Sequence, residues 1–347
     1  METLIKNEET IRPSASTNSG FGQQVTDHML VCAYKNGSWQ LPELIPFGPL
    51  ALTPNILGLH YGQSVFEGMK AFRMTDDRVS IFRLEAHHER LNKSLHRMCM
   101  PEIPSHLFCE ALLQFVSADA AWVPYEKSSA LYLRPFVFAS EARFGYKAAE
   151  EYLFVIFGGP VAALHAKPIR VKVETDYVRA APGGTGYAKC AGNYGGVLYP
   201  TQLAKEEGFD QVIWTDSSEH RYIEEAGTMN IMFIIDNVLI TPALSDTILN
   251  GVTRHSVLQL AQRRGIKTEQ RRISTDELVE AFKSGKQVEA FGAGTAAVIA
   301  PIQSITITGT EYSCYHEPGA KMFELKEELE AVRSGKAVDS FSWNTIV

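Results

Sequence analysis

A chain of 347 residues is long enough for a large core and for two domains, and 45% hydrophobic with 21% charged residues is ordinary globular composition. Thirty-three basic against 40 acidic side chains leave a formal net charge of −7, which excludes the basic footprint of a nucleic-acid binder. No apolar run reaches the roughly 18 residues of a membrane span, so none is expected.

The first 20 residues, "METLIKNEETIRPSASTNSG", are polar and acidic. They have neither the apolar core of a signal peptide nor the Arg-rich, acid-poor character of a transit peptide, so 1–20 reads as a loose leader. Residues 21–160 then read as a small mixed domain. "DHMLVCAY" (27–34) and "FEGMKAFRM" (66–74) have strand composition, and Thr75-Asp76-Asp77 joins the latter to "RVSIFRL" (78–84) as a hairpin. Leu84, His88, Leu91, Leu95 and Met98 recur at helical spacing over 85–98. A second helix is expected over 105–119 with Leu107, Ala111, Leu112 and Phe115 inward, followed by strands at 129–140 and 151–159. Gly, Pro and Ala replace the periodic pattern near "GGPVAALHAKP", which places an interdomain linker at 161–170.

The remainder, 171–347, reads as a larger domain. Its expected elements are a strand at 170–180, a helix at 191–206, a strand at 210–216 and a strand–turn–strand unit at 222–241. A helix follows Asn250-Gly251, and Ser274-Thr-Asp-Glu277 is a capping box opening another that ends near Gly285. The last helix is expected over 318–334. Cys32, Cys99, Cys109, Cys190 and Cys314 are scattered and form no CxxC, so reduced thiols in a cytoplasm are expected. The ten histidines show no ligand spacing, and no metal site is expected.

Four stretches hold groups that could do chemistry. In "GGTGYAKCAGNYGG" (183–196) a single amine, Lys189, stands among residues small enough to let a ligand approach the backbone. It is either a solvated loop lysine or one that forms a Schiff base with a carbonyl. The stretch is not a phosphate loop, because no glycine precedes Lys189. In "YIEEAGTMN" (222–230) strand alternation lets only one of Glu224 and Glu225 point into a given cavity, and Thr228 follows the bend at Gly227. Alone, this is equally an ordinary hairpin with two exposed glutamates. "FGAGTAAVIAP" (291–301) satisfies GxGxxG/A, which keeps a nicotinamide-dependent oxidoreductase as a rival. Pro301 leaves no room for the required helix, so a tight turn presenting backbone N–H groups to an anion fits better. Arg90, in "IFRLEAHHER", is either a phosphate ligand or a solvent-facing helix residue.

Together the wording and order of "LHYGQSVFEGMKAFR", "LYLRP", "YAKCAGNYGG", "EEAGTMN", "LNGVTRHSVL" and "FGAGTA" resemble the branched-chain amino acid aminotransferases, pyridoxal-phosphate enzymes of fold type IV. The likeness runs from about residue 21 to the last helix. It implies an α+β chain: a small α/β domain and a larger cofactor-binding domain with a β-barrel-like core. It implies that the amino group passes between leucine, isoleucine or valine and 2-oxoglutarate. Lys189 would carry pyridoxal 5'-phosphate and move the substrate proton. Glu225, not Glu224, would face the pyridine nitrogen, and Tyr194 the phenolic oxygen. Arg90, Thr228, Val252, Thr253 and Thr295 would hold the phosphate. Thr295, Ala296 and Tyr132 would take the substrate carboxylate, Phe21, Tyr61 and Phe66 would line the apolar pocket, and Arg134 would accept the distal carboxylate of glutamate.

The resemblance also implies a homodimer in which the loop "EARFGY" (141–146) reaches the neighbouring active site. Here that loop carries Phe144 and Tyr146 where smaller aliphatics occur in animal enzymes. The CxxC pair of some animal members is replaced by Ala297 and Ala300. Rivals on the same fold are D-amino-acid aminotransferase and aminodeoxychorismate lyase. A non-catalytic binding protein would leave Lys189 idle.

Overall fold

The computed structural model describes residues 21–162 and 167–347; the leader over 1–20 and part of the linker lie outside the described residues. The first half of the chain supplies eight strands: β1 (His28–Lys35), β2 (Ser38–Trp39), β3 (Glu43–Pro46), β4 (Ser64–Phe66), β5 (Met69–Arg73), β6 (Val79–Phe82), β7 (Ala130–Ala139) and β8 (Tyr152–Val161). Three helices lie among them: α1 (Leu57–Tyr61), α2 (Leu84–Arg97) and α3 (Ser105–Ala118). After β9 (Ile169–Val173) come α4 (Gly192–Gly195), α5 (Leu198–Glu206), β10 (Gln211–Thr215), β11 (Ile223–Ala226), β12 (Met229–Ile235) and β13 (Val238–Thr241). The chain continues through α6 (Val252–Arg263), β14 (Lys267–Gln270), α7 (Thr275–Lys283), β15 (Val288–Gly294), β16 (Val298–Ile307), β17 (Thr310–Ser313), α8 (Lys321–Arg333) and β18 (Asn344–Ile346).

Two nine-stranded sheets result. The first is antiparallel, in the order β18-β6-β5-β7-β8-β1-β2, with β3 on β1 and β4 on β7. Its core packs Leu91 and Leu95 of α2 and Phe108, Leu112 and Phe115 of α3 against Leu131, Leu133 and Ile156. The second sheet closes on itself. Strands β11-β10-β9-β16-β15-β12 run in order and β12 pairs back to β11, giving a six-strand barrel that β13, β14 and β17 extend. Alternation on β12 feeds two cores: Met232 and Ile234 meet α6 and α8, while Ile231, Phe233 and Ile235 meet β9, β10 and α7. The α+β architecture with a barrel core agrees with the expectation. Among the described residues no helix is long and apolar enough to cross a membrane.

Where elements differ from expectation, local hydrogen bonding explains it. The strand expected over 66–74 is broken after Phe66, because Glu67 turns its carboxylate inward and Gly68 passes beneath Tyr132. A Cβ on Gly68 would stand 2.1 Å from the Tyr132 hydroxyl. The strand expected over 170–180 stops at Val173, since Glu174 Oε1 accepts the N–H groups of Thr175, Asp176 and Tyr177 at 3.1, 2.9 and 3.2 Å. The helix expected over 191–206 is two pieces, α4 and α5. The Ser274 cap is formed, its hydroxyl accepting the Glu277 N–H at 3.0 Å.

Candidate active site

Strand β7 alternates strictly. Leu131, Leu133 and Val137 fill the first core, and Tyr132, Arg134 and Phe136 face a cavity of about 850 Å³. The opposite wall comes from the barrel: Glu225 at β11, Met229 and Asn230 at β12, and the turn Gly294–Ala297 after β15. The helix α6 presents Val252 and Thr253 of its first turn.

Lys189 enters from a segment laid flat against β4. Its carbonyl accepts the Phe66 N–H at 3.0 Å, Cys190 bridges to Val65, and the Ala191 N–H reaches Ser64 at 3.0 Å. Small neighbours permit this close pairing. From α2, the Ser94 hydroxyl accepts the Lys189 N–H at 2.9 Å. The Lys189 ammonium donates to the Tyr194 hydroxyl at 2.8 Å and lies 4.8 Å from the Phe66 ring centroid.

Both glutamates of β11 are buried, so the exposed-hairpin reading fails. Glu225 lines the cavity and Glu224 does not. Glu225 Oε1 accepts the Leu249 N–H at 2.8 Å and the Asn230 amide at 3.3 Å, and its Oε2 lies 3.0 Å from Arg179 Nε. Burial pushes its carboxyl above the usual range, and Arg179 opposes that rise. Glu224 points the other way and accepts the Thr247 hydroxyl at 2.5 Å.

Arg90 is buried, contrary to the solvent-facing alternative, because it shares a face of α2 with Leu91 and Leu95. Glu67 grips it with two charge-assisted bonds, Arg90 Nε to Oε1 and Nη2 to Oε2, both 2.7 Å. His87 Nδ1 lies 2.7 Å from the same Oε2. Burial pushes the Glu67 carboxyl up, but Arg90 and His87 outweigh it and hold it well below the usual range. The remaining Nη1 of Arg90 donates to the Asn250 carbonyl at 3.2 Å, just before α6. The α6 N-terminus has no side-chain cap, so its first N–H groups are left for an anion. Gly251 is required there: a Cβ would stand 1.9 Å from Asn230 Oδ1.

The cavity thus brings together Lys189, Arg90, Tyr194, Glu225, Thr228, Val252, Thr253 and Thr295 with Phe21, Phe66, Tyr132, Arg134 and Ala296. A cationic ring nitrogen suits Glu225, a phosphate suits Arg90 with the α6 N-terminus, and an aldehyde suits the amine between them. The donor set fits a pyridoxal phosphate. Tyr61 does not line this cavity. Gly62, at φ 68°, turns the chain after α1, so that β4 rather than Tyr61 returns to β7. The Tyr61 hydroxyl donates instead to the Phe144 carbonyl at 3.2 Å, and its ring meets Tyr146 at 5.2 Å. Sequence reasoning missed Glu67, His87 and Arg179. A lone acid in the apolar run "SVFEGMKAF" was a usable sign for Glu67; nothing local marks Arg179.

A family model described as Amino-transferase class IV matches residues 64–305. "Branched-chain-amino-acid transaminase 1" of Bacillus subtilis (strain 168) is 43% identical over 357 residues, covering 100% of both chains. Among solved structures, a branched-chain aminotransferase from Thermoproteus uzoniensis with norvaline superposes with TM-score 0.76 at 26% identity, over 92% of this chain and 99% of that one. The branched-chain amino acid aminotransferase from Thermobaculum terrenum in its PLP form shares the fold, with TM-score 0.76 at 21% identity over 93% and 99% of the chains. On the family match and the full-length relative, the chain belongs to the class IV aminotransferases and, among them, to the branched-chain-amino-acid aminotransferases.

Proposed function

We propose that this chain reversibly transfers the amino group between L-leucine, L-isoleucine or L-valine and 2-oxoglutarate, giving branched-chain 2-oxo acids and L-glutamate. The observation that carries the reading is one cavity walled by an amine, a buried carboxylate and a buried guanidinium: Lys189, Glu225 and Arg90. The cofactor, pyridoxal 5'-phosphate, supplies an electron sink for the substrate Cα when bound. Lys189 holds it and then moves the proton at the substrate Cα. Glu225, buried and braced by Arg179, keeps a proton on the ring nitrogen. Tyr194 would hydrogen-bond the phenolic oxygen, and Arg90, Thr228, Val252, Thr253 and Thr295 would hold the phosphate.

Tyr132 and the Thr295–Ala296 amides orient the substrate carboxylate. Phe21 and Phe66 wall the apolar side, Phe21 meeting Tyr132 edge-on at 5.0 Å. Arg134, bonded to the Tyr132 hydroxyl at 3.0 Å, compensates the distal charge of glutamate. An apolar wall separates substrates that differ by one methylene by only about 1–3 kcal/mol, so all three branched side chains are accepted. Phe144 and Tyr146 are 88% and 84% exposed, which supports a homodimer whose loop 141–146, with Tyr61 against it, reaches the partner's cavity. A cytoplasmic setting and a division into 21–160 and 171–347 joined by 161–170 belong to the same proposal.

The test is Lys189→Ala. It should lose transamination and borohydride-trappable cofactor while keeping the fold, since alanine suits its small neighbours. Near-wild-type turnover in this variant would sink the proposal. Comparing L-leucine with D-alanine as amino donor separates the reading from a D-amino-acid aminotransferase.

A further inference from the structure

A second cavity, of about 620 Å³, lies behind the turn that closes the first. Thr295, Ala296 and Ala297 line the first cavity, whereas the next residue, Val298, lines the second. Val298 sits at φ 64°, in the left-handed region where a β-branched residue is strained. Lys70 spans the wall: it lines the second cavity and donates from Nζ to the Ala296 carbonyl at 2.8 Å.

The second cavity holds a charge the proposed chemistry does not use. Arg333 lines it, is 4% exposed, and its Nε and Nη1 make no hydrogen bond among the described residues. The guanidinium lies over the rings of Phe82 and Phe72, at 4.5 and 5.5 Å. Neither Lys70 nor Arg333 forms an ion pair among the described residues. Glu330, at the cavity rim, takes a bond from the Ser128 hydroxyl at 3.0 Å instead. Burial, with Arg333 adding repulsion, pushes the Lys70 ammonium down to about 7. Glu330 is the carboxylate that acts on both cations, from beyond ion-pair distance, so two buried positive charges share one negative charge, an excess that calls for a further anion. Phe72, Met74, Pro124 and Tyr125 give the lining one apolar stretch, beside the charged Arg73, Asp77, Glu126, Lys127, Glu327 and Lys336.

We propose that this cavity is a second binding site, for a small monocarboxylate with an apolar tail. The carboxylate sits on Arg333 and Lys70, and the tail lies along Phe72, Met74 and Tyr125. Since Lys70 also holds Ala296, occupancy is felt at the turn 295–297 without any contact to the first cavity.

The test soaks crystals of the holoenzyme in 3-bromobenzoate, locates bromine by anomalous scattering, and titrates the same compound calorimetrically. A bromine peak between Arg333 and Phe72 is expected. Arg333→Met should weaken that binding tenfold or more. Ala331→Phe, which fills the cavity and leaves every charge in place, should do the same and covers the case in which the arginine variant fails to fold. Hydrogen exchange at the amides of residues 295–298 should change on adding the probe to the wild type and stay unchanged in Ala331→Phe. Bromine only in the Lys189 cavity, binding undiminished in Ala331→Phe, or a site that takes inorganic phosphate but refuses the bromobenzoate would each overturn the proposal.

Discussion

Glu225 and Glu224 are adjacent, alike and both buried, yet only one meets the cavity, so the pair is an internal control. Glu225→Gln should cut kcat/KM a hundredfold or more, about 3 kcal/mol of transition-state stabilisation. Glu224→Gln should cost far less, because an amide can still accept from Thr247. Equal losses would mean that β11 is in the wrong register. Arg134→Met should lower kcat/KM for glutamate and 2-oxoglutarate by about 2–3 kcal/mol, the scale of a charge-assisted bond to a buried carboxylate. The single-turnover half-reaction with leucine should change much less. Parallel losses would reduce Arg134 to a brace for Tyr132, to which it donates at 3.0 Å. Glu67→Gln removes the carboxylate from a buried guanidinium, which costs about 3–5 kcal/mol. Chemical denaturation should show that loss together with weaker retention of cofactor. A stable variant with slack cofactor binding would make Glu67 a positioning residue alone.

At the scale of elements, the legible parts were those whose side chains and backbone agree. Leu84, Leu91 and Leu95 betray α2 by spacing, and Ser274 with Glu277 betrays α7. Ser274→Ala should lower stability by about 1 kcal/mol, seen as a shifted denaturation midpoint, and no shift would mean the cap is redundant. His87 and Arg90 share the buried face of α2, but a charge in a helix reads as exposed until its partner is known. That partner, Glu67, is 23 residues upstream of Arg90. Strands such as β14, "KTEQ", and β18, "NTI", carry too little apolar pattern to be seen; their neighbours in the sheet make them strands. The site residues were legible only through motif wording. Tyr61 lies outside the cavity of its own chain, because the turn at Gly62, which no motif encodes, sends the chain away.

Across the whole molecule, β18 fastens the far end of the described chain to the first sheet. Trp343, 5% exposed, stacks on Phe341 at 4.4 Å and meets Phe82 edge-on at 5.6 Å, and its carbonyl accepts the Arg83 N–H at 2.6 Å. Trp343→Ala should therefore cost about 3–5 kcal/mol, the range for emptying a large aromatic site, and a change under about 1 kcal/mol in denaturant titration would make this fastening ornamental.

The same strand bears on how the protein is made. Ser80 and Asn344, whose side chains meet at 3.5 Å, are 264 positions apart. On the ribosome, β6 therefore waits as a bare sheet edge, able to recruit a neighbouring nascent chain, until almost all of the described sequence has emerged. Domain-by-domain folding during synthesis can finish the barrel before the first sheet is sealed, so the part translated first is the part completed last.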